Sequence, residues 1–247
     1  MTTVQSLERA IDLLRLISAE HKSGARLSTL VAASALPQPT VHRLLKQLVA
    51  GGLVMQDAQR RYRLGHFAYE LGLVASTHFN LRDLCAPALA RICADTGDTA
   101  FLLVRSGADA FCLDRQSGGF PIQVLTMEIG KRRPLGIGGG GLALLSFMPP
   151  EERHEVLARI EPQLVQHGGL TRQILEALIA QTLERGYACI TNFAVEGVSS
   201  IGLPLRDRDG QVVGAVSVSA ISARMQPREA FVVQTLHREV AAMQKLL

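Results

Sequence analysis

The sequence predicts an α+β chain in two parts, a small helical module closed by a basic hairpin and a larger domain on a largely antiparallel sheet. Three observations carry this expectation. Apolar residues in the first fifty positions recur at helical spacing, whereas those from 99 to 129 and from 188 to 220 fall in short β-rich runs broken by Gly, Asp and Ser. Charge divides along the same line: residues 1 to 80 hold 9 Lys and Arg against 5 Asp and Glu, while residues 81 to 247 hold 17 of each. The length of 247 residues and a composition of 47% hydrophobic and 19% charged residues fit a globular protein of one large or two smaller domains.

The first module opens with SLERAIDLLRLIS, where Leu7, Ala10, Ile11, Leu14 and Ile17 share one helical stripe. LSTLVAASA follows as a short helix with Ser28 as its N-cap, and LPQP kinks the chain. In QPTVHRLLKQLV the residues Val41, Leu44, Leu45 and Leu48 lie at i, i+3, i+4 and i+7, leaving Arg43 and Lys46 opposite, with His42 and Gln47 on the flanks; Gly51 and Gly52 end the helix. LVMQ and RYRL, separated by DAQR, then form a hairpin with Arg60, Arg61 and Arg63 on or near its tip. Residues 1 to 65 therefore read as a winged helix-turn-helix domain.

A cationic face on one helix is usually just a solvated surface. Three agreeing signals point instead to double-stranded DNA: a tight helix pair, a polar face on its second member and a basic hairpin beside it. Thr40, His42, Arg43, Lys46 and Gln47 are the expected groove contacts, and Arg60 and Arg61 the expected phosphate contacts.

Residues 66 to 79 read as a linker helix with Phe67, Leu71 and Val74 on a stripe, and residues 80 to 247 as the second domain. Asn80 is placed to cap LRDLCAPALARICADTG, whose Leu81, Leu84, Ala88, Leu89 and Ile92 form a further stripe. TAFLLVRSG, AFCLDRQS and PIQVLTMEI read as strands, PEERHEVLARI and TRQILEALIAQTLERG as helices. A strand near YACITNF, a hairpin from VSSIGLPL through DRDG to VVGAVSVSA, and a closing helix from about Pro227 complete the domain.

Gly136, Gly138 and Gly141 spell G-x-G-x-x-G, the pattern of a dinucleotide loop. That fingerprint follows directly on a buried strand, whereas Lys131, Arg132, Arg133 and Pro134 intervene here and no acidic residue follows at a strand end. The favoured reading is a loop entering a helix whose free N–H groups admit a small anion; the alternative is glycine used for tight packing of helix on sheet. Alternation puts Ser217 and Ser219 on one strand face and Val216, Val218 and Ala220 on the other.

VQSLERAIDLLRLI, LSTLVAASALPQPTVHRLLKQLVAGGLV and YRLG, followed in register by RRPLGIGGGGLALL, ERGYA and GVSSIGLPLRDRDGQVVGAVSVSA, closely resemble IclR-type bacterial transcriptional regulators along nearly the whole chain. The resemblance implies a dimeric or tetrameric regulator with a C-terminal effector-binding domain related to the GAF fold. It further implies a small-molecule pocket between the glycine loop, the loop before Ser199 and Ser200, and the strand of Ser217 and Ser219. The chain departs from many members in having Gly136 where they complete PLH with His, Leu142 for Lys, Ser200 for Cys and CITNF (189 to 193) for acidic residues. The expected effector is a small organic acid, with an aromatic body among the candidates. Gly138, Gly139 and Gly140 would offer N–H groups to its carboxylate, Ser200, Ser217 and Ser219 would form the polar side, and Leu125, Met127, Leu135 and Ile137 the apolar enclosure. A bulky Leu at 139 would then fill the cavity.

The competing reading is a metabolite-processing enzyme with an incidental basic module. No Ser-His-Asp motif, HExxH or Cys-His pairing stands at recognisable spacing, and His154, His167 and His237 read as surface residues, so no catalytic residue, metal or cofactor is expected. Cys85, Cys93, Cys112 and Cys189 contain no CxxC pair and read as reduced, mostly buried thiols. The N-terminus lacks the unbroken apolar run of a signal peptide, no later run approaches a membrane span, and a cytoplasmic location is expected.

Overall fold

The computed structural model describes residues 4 to 76 and 80 to 247, so residues 77 to 79 of the expected linker lie outside the described residues. It separates into two compact units, Met1–Asn80 and Leu81–Leu247.

In the first unit, α1 (Gln5–Ala19), α2 (Leu27–Ser34) and α3 (Gln38–Ala50) enclose Leu13, Ile17, Leu30, Val41, Leu45 and Leu48, with Val54 and Tyr62 packed on them. The buried face of α1 is Leu13 and Ile17; Leu7 and Ile11 of the expected stripe are exposed. Ser28 does not cap α2, because the helix already begins at Leu27 behind Arg26, with no side-chain cap. Ala35 at φ 52 turns the chain sharply out of α2, and Pro37 and Pro39 preset the entry to α3.

The hairpin strands β1 (Val54–Gln56) and β2 (Tyr62–Leu64) pair antiparallel, and Ala25 bridges Tyr62 through bonds of 2.9 and 2.8 Å. That third short strand, one residue long, carries no signal in the sequence. Asp57 closes the turn, its carboxylate accepting the Gln59 and Arg61 N–H groups at 3.0 and 2.8 Å. The Arg61 N–H, helped by the Arg63 guanidinium, holds the Asp57 carboxyl below its ordinary range. After Gly65, whose absent side chain lets the backbone approach Gly52, comes α4 (His66–Ser76), none of whose residues is buried.

The second unit is α+β, with one six-stranded antiparallel sheet in the order β5-β4-β3-β8-β7-β6. Its strands are β3 (Thr99–Ser106), β4 (Asp109–Gln116), β5 (Arg132–Pro134), β6 (Ala188–Thr191), β7 (Val198–Arg206) and β8 (Val212–Ile221). One face packs Ala100, Leu102, Ile201, Leu203, Val216 and Val218 against α5 (Leu81–Thr96) and α10 (Glu229–Gln244). The other packs Phe101, Leu103, Ala110, Cys112, Ile190 and Ala215 with α6 (Gly139–Ser146), α7 (Pro150–Leu164) and α8 (Arg172–Arg185). A short α9 (Ser222–Met225) and a 3-10 turn lead into α10. Thr171 caps α8 by accepting the Ile174 N–H at 3.3 Å, and Gly186 at φ 79 ends it.

PIQVLTMEI, expected as a strand, is irregular. Its apolar residues plug the core instead of pairing: Val124 and Met127 are buried while Ile122, Leu125 and Ile129 are exposed. Gln123 does for this segment what a ladder would, accepting from Thr99 at 2.9 Å and donating to the carbonyls of Gly118, at 3.0 Å, and Phe120. The strand forms later, at Arg132–Pro134, within the stretch read as intervening before the glycines. It is a three-residue edge strand paired antiparallel to β4, so the loop still lacks the buried parallel strand a dinucleotide site requires.

Candidate functional site

On α3 the sequence pattern is realised as two faces. Val41, Leu45 and Leu48 are buried, whereas His42, Arg43, Lys46 and Gln47 are exposed and Thr40 is half-buried at the entry. Among the described residues Arg43 and Lys46 have no ion-pair partner, so both charges are available to a polyanion.

The wing divides its arginines differently from the expectation. Arg60, at φ 57 on the turn, is exposed and its guanidinium has no partner among the described residues. Arg61 is not a free tip cation: it is half-buried and its Nη1 donates to the Ser23 carbonyl at 2.8 Å. Arg63 pairs with Asp57 at 3.0 Å and donates to the carbonyls of His21 and Ser23 at 3.1 and 3.3 Å. These two arginines fasten the hairpin to the loop between α1 and α2.

In the second unit the glycine loop ends at Gly138, φ 76, from which α6 starts. The N–H groups of Gly139, Gly140 and Gly141 have no backbone acceptor, as expected of a first helical turn; the turn's first helical bond runs from Leu142 N–H to Gly138 O at 2.9 Å. Both sequence readings of these glycines have a counterpart. A Cβ at Gly139 would lie 2.8 Å from the Ile201 carbonyl carbon, and one at Gly202 would lie 2.4 Å from the Gly139 carbonyl carbon, so α6 rests on β7 backbone against backbone. Leu at 139 would therefore collide with the sheet and report on folding, not on a cavity.

Ser200, Ser217 and Ser219 all face α6 and are buried. Ser219 donates to Ser200 at 2.9 Å, leaving Ser217 as the one of the three whose hydroxyl has no partner among the described residues. The expected apolar wall changes. Leu125 is 52% exposed and encloses nothing, while Leu135, with no exposed surface, and Ile137 are core residues packed under α6 and α8; Met127 is buried in the same cluster.

Two groups that the sequence reading did not assign stand at this place. Arg133 is half-buried on the α6 side of β5, opposite Ala110, with Nη1 3.9 Å from where a Gly138 Cβ would sit and Nη2 donating to the Thr126 carbonyl. Burial lowers its pKa, though a guanidinium stays charged. His167, expected on the surface, is half-buried, and burial first and the Arg133 charge second favour its neutral form. Strand alternation could have marked Arg133 and not Arg132, whose guanidinium lies on the opposite face over the Phe111 ring at 5.0 Å.

His154 and His237 are exposed, and no group of three or more His, Cys, Asp or Glu able to hold a metal occurs among the described residues. Burial pushes the Cys85 thiol up to about 11 and the Cys112 thiol up to about 12, the opposite of what activates a nucleophile. No helix among the described residues is long and apolar enough to cross a membrane.

The chain matches the family model of the IclR helix-turn-helix domain over residues 6–58 and that of the bacterial transcriptional regulator IclR C-terminal domain over residues 74–244. It is similar to the transcriptional repressor AllR of Klebsiella pneumoniae, 30% identical over 249 residues that span 96% of this chain and 87% of that protein. It is also similar to the transcriptional regulator KipR of Bacillus subtilis, 27% identical over 206 residues spanning 83% and 82%. Among solved structures, an IclR transcriptional regulator from Silicibacter shares the fold at a TM-score of 0.85 and 24% identity, covering 97% of this chain and 95% of that one. An IclR homolog from Microbacterium hydrocarbonoxydans, complexed with 4-hydroxybenzoate, does so at a TM-score of 0.74 and 24% identity, covering 97% and 98%.

Proposed function

Because the chain belongs to the IclR family of bacterial transcriptional regulators, we propose that it reads an operator with α3 and answers to a small organic acid at the start of α6. Membership makes it a DNA-binding regulator with a helix-turn-helix domain and an effector domain; the residues and the ligand class are the proposal. Thr40, His42, Arg43, Lys46 and Gln47 enter the major groove, and Arg60 meets the flanking phosphates. Arg61 reaches phosphate only by releasing the Ser23 carbonyl, so its share is smaller. The observation that carries the DNA assignment is the unpaired, exposed Arg43 and Lys46 opposite the buried Val41, Leu45 and Leu48.

The effector assignment rests on Ser217, a residue only 2% exposed whose hydroxyl has no partner among the described residues, beside the free N–H groups of α6. Gly138, Gly139 and Gly140 supply those donors or the approach to them, Ser200 and Ser219 brace the polar side, and Met127 belongs to the apolar side. The acid bound by the Microbacterium homolog supports the ligand class. A homodimer or homotetramer is proposed from α4, whose Phe67, Leu71 and Val74 are 43%, 49% and 69% exposed on a helix with no buried residue. Residues 66 to 79 would serve as the connection between residues 1 to 65 and 80 to 247, and the protein would act in the cytoplasm without catalysing a reaction.

The test is a gel shift with DNA from upstream of the protein's own gene, repeated with benzoate, 4-hydroxybenzoate and pyruvate. Retardation that one of the acids alters supports the proposal. Turnover of an acid without any DNA retardation would favour the enzyme reading, and retardation that none of the acids changes would reject the effector class.

A further inference from the structure

Resting on the effector site just proposed, we infer that Arg133 is its specificity determinant: the guanidinium and the α6 N–H groups grip the same carboxylate. The two neighbouring arginines of β5 have opposite fates. Arg132 lies against the Phe111 ring on one face, an ordinary place for a surface arginine. Arg133 faces inward with Ala110 and Cys112, where water has been partly removed. No carboxylate among the described residues lies within ion-pair distance of it, and its one hydrogen bond is to the Thr126 carbonyl. A guanidinium has five N–H donors, so most of its fork is unused.

Desolvating a cation without a counter-charge is costly, and a cation kept in that condition is compensated when an anion arrives. The α6 N-terminus and the Ser217 hydroxyl favour the same sign of ligand as the guanidinium does. The α6 N-terminus presents unbonded N–H groups and the positive end of its dipole. Gly138 leaves Nη1 of Arg133 facing this turn without an intervening side chain, the nearest approach to a Cβ there being 3.9 Å. Ser217, only 2% exposed, aims a hydroxyl without a partner at the same turn, its Oγ 3.1 Å from where a Gly140 Cβ would stand. His167 adds no opposing negative charge. A planar carboxylate matches the guanidinium fork with two parallel hydrogen bonds, which a neutral amide of the same shape cannot do.

The experiment is calorimetric titration of the full chain with benzoate, 4-hydroxybenzoate and pyruvate, each beside its amide, and with inorganic phosphate. At least one acid is expected to bind wild type about tenfold or more tighter than its amide and than phosphate. Arg133→Gln should weaken that acid about thirtyfold or more while leaving the amide within about threefold. Arg133→Lys, which keeps the charge and loses the fork, should fall between, and it decides the matter if Arg133→Gln does not fold. Unchanged acid affinity in the Arg133 variants, an amide as tight as its acid, phosphate tighter than every acid, or no acid bound would each overturn the inference. Ser217→Val separates this from the underlying reading. If it weakens acid and amide alike while Arg133→Gln changes neither, the effector site stands without Arg133; if it too leaves binding intact, the site lies elsewhere.

Discussion

Gly202→Ala, a single added methyl at the contact between β7 and α6, should destabilise the second unit strongly. The new Cβ would stand 2.4 Å from both the carbonyl carbon and the carbonyl oxygen of Gly139 and 2.8 Å from the Gly140 nitrogen. Comfortable contact between carbons begins near 3.5 Å, so α6 would have to retreat by about 1 Å. The obstacle is backbone on both sides, with no side chain able to rotate away. Overpacking of this kind typically costs about 1–3 kcal/mol, and the upper end applies where nothing can yield. At roughly 2–4 °C per kcal/mol for a unit of this size, the melting temperature should fall by about 6–12 °C. Gly141→Ala is the internal control. Its Cβ would meet nothing closer than the Gly136 nitrogen at 3.5 Å, an ordinary van der Waals contact, and a helical Gly→Ala change that adds no clash gains about 0.5–1 kcal/mol. The assay is thermal unfolding followed by far-UV circular dichroism on both variants. A Gly202→Ala protein melting within about 1 °C of wild type would refute the backbone-contact argument.

Arg43→Ala should weaken operator binding by about 1–3 kcal/mol and relax discrimination at one base pair, measured by fluorescence anisotropy on single-substituted operators. Arg60→Ala should weaken specific and random DNA about equally and reduce the salt slope by about one, read from affinity across a salt series. Arg61→Ala should differ in kind, lowering the melting temperature of the first unit through loss of the Ser23 bond, with DNA affinity less affected than by Arg60→Ala. With thiols raised to about 11 and about 12 by burial, Cys85 and Cys112 should resist alkylation at about pH 8 in the native protein and react once guanidinium exposes them, as peptide mass spectrometry would show.

The DNA-binding module was legible because its evidence is local. The stripe of Val41, Leu45 and Leu48 and the hairpin of LVMQ and RYRL are set by neighbours a few residues apart. The tie that holds Arg61 was not legible because its partner, the Ser23 carbonyl, lies 38 residues away in sequence. The irregular course of residues 121 to 129 was hidden for a related reason: a short apolar run looks alike whether it pairs as a strand or plugs a core, and only the Gln123 bonds decide. Around the glycine loop alternation placed Ser217 and Ser219 together on one strand face, whereas the facing of the arginines and the burial of the apolar residues were not legible. Which of Arg132 and Arg133 turns inward depends on the register of β5 against Ala110 and Phe111, and Leu125 and Leu135 exchange the exposure and burial that hydropathy alone would assign equally.

The pairing of β3 with β8 has a bearing on how the chain is made. Thr99 lies opposite Ser219, so the middle of the sheet is closed by residues more than a hundred positions apart. Long loops must be ordered before such a pair rewards them, which makes the second unit slow to fold. The first unit needs nothing beyond Asn80 for its own core, since Leu13, Ile17, Val41, Leu45 and Tyr62 all lie within it. During synthesis at about 5–20 residues per second, the helix-turn-helix is therefore complete several seconds before β8 leaves the ribosome. A nascent chain passes through a stage at which its DNA-binding unit is folded and its sensing unit is not, with one edge of β3 awaiting β8.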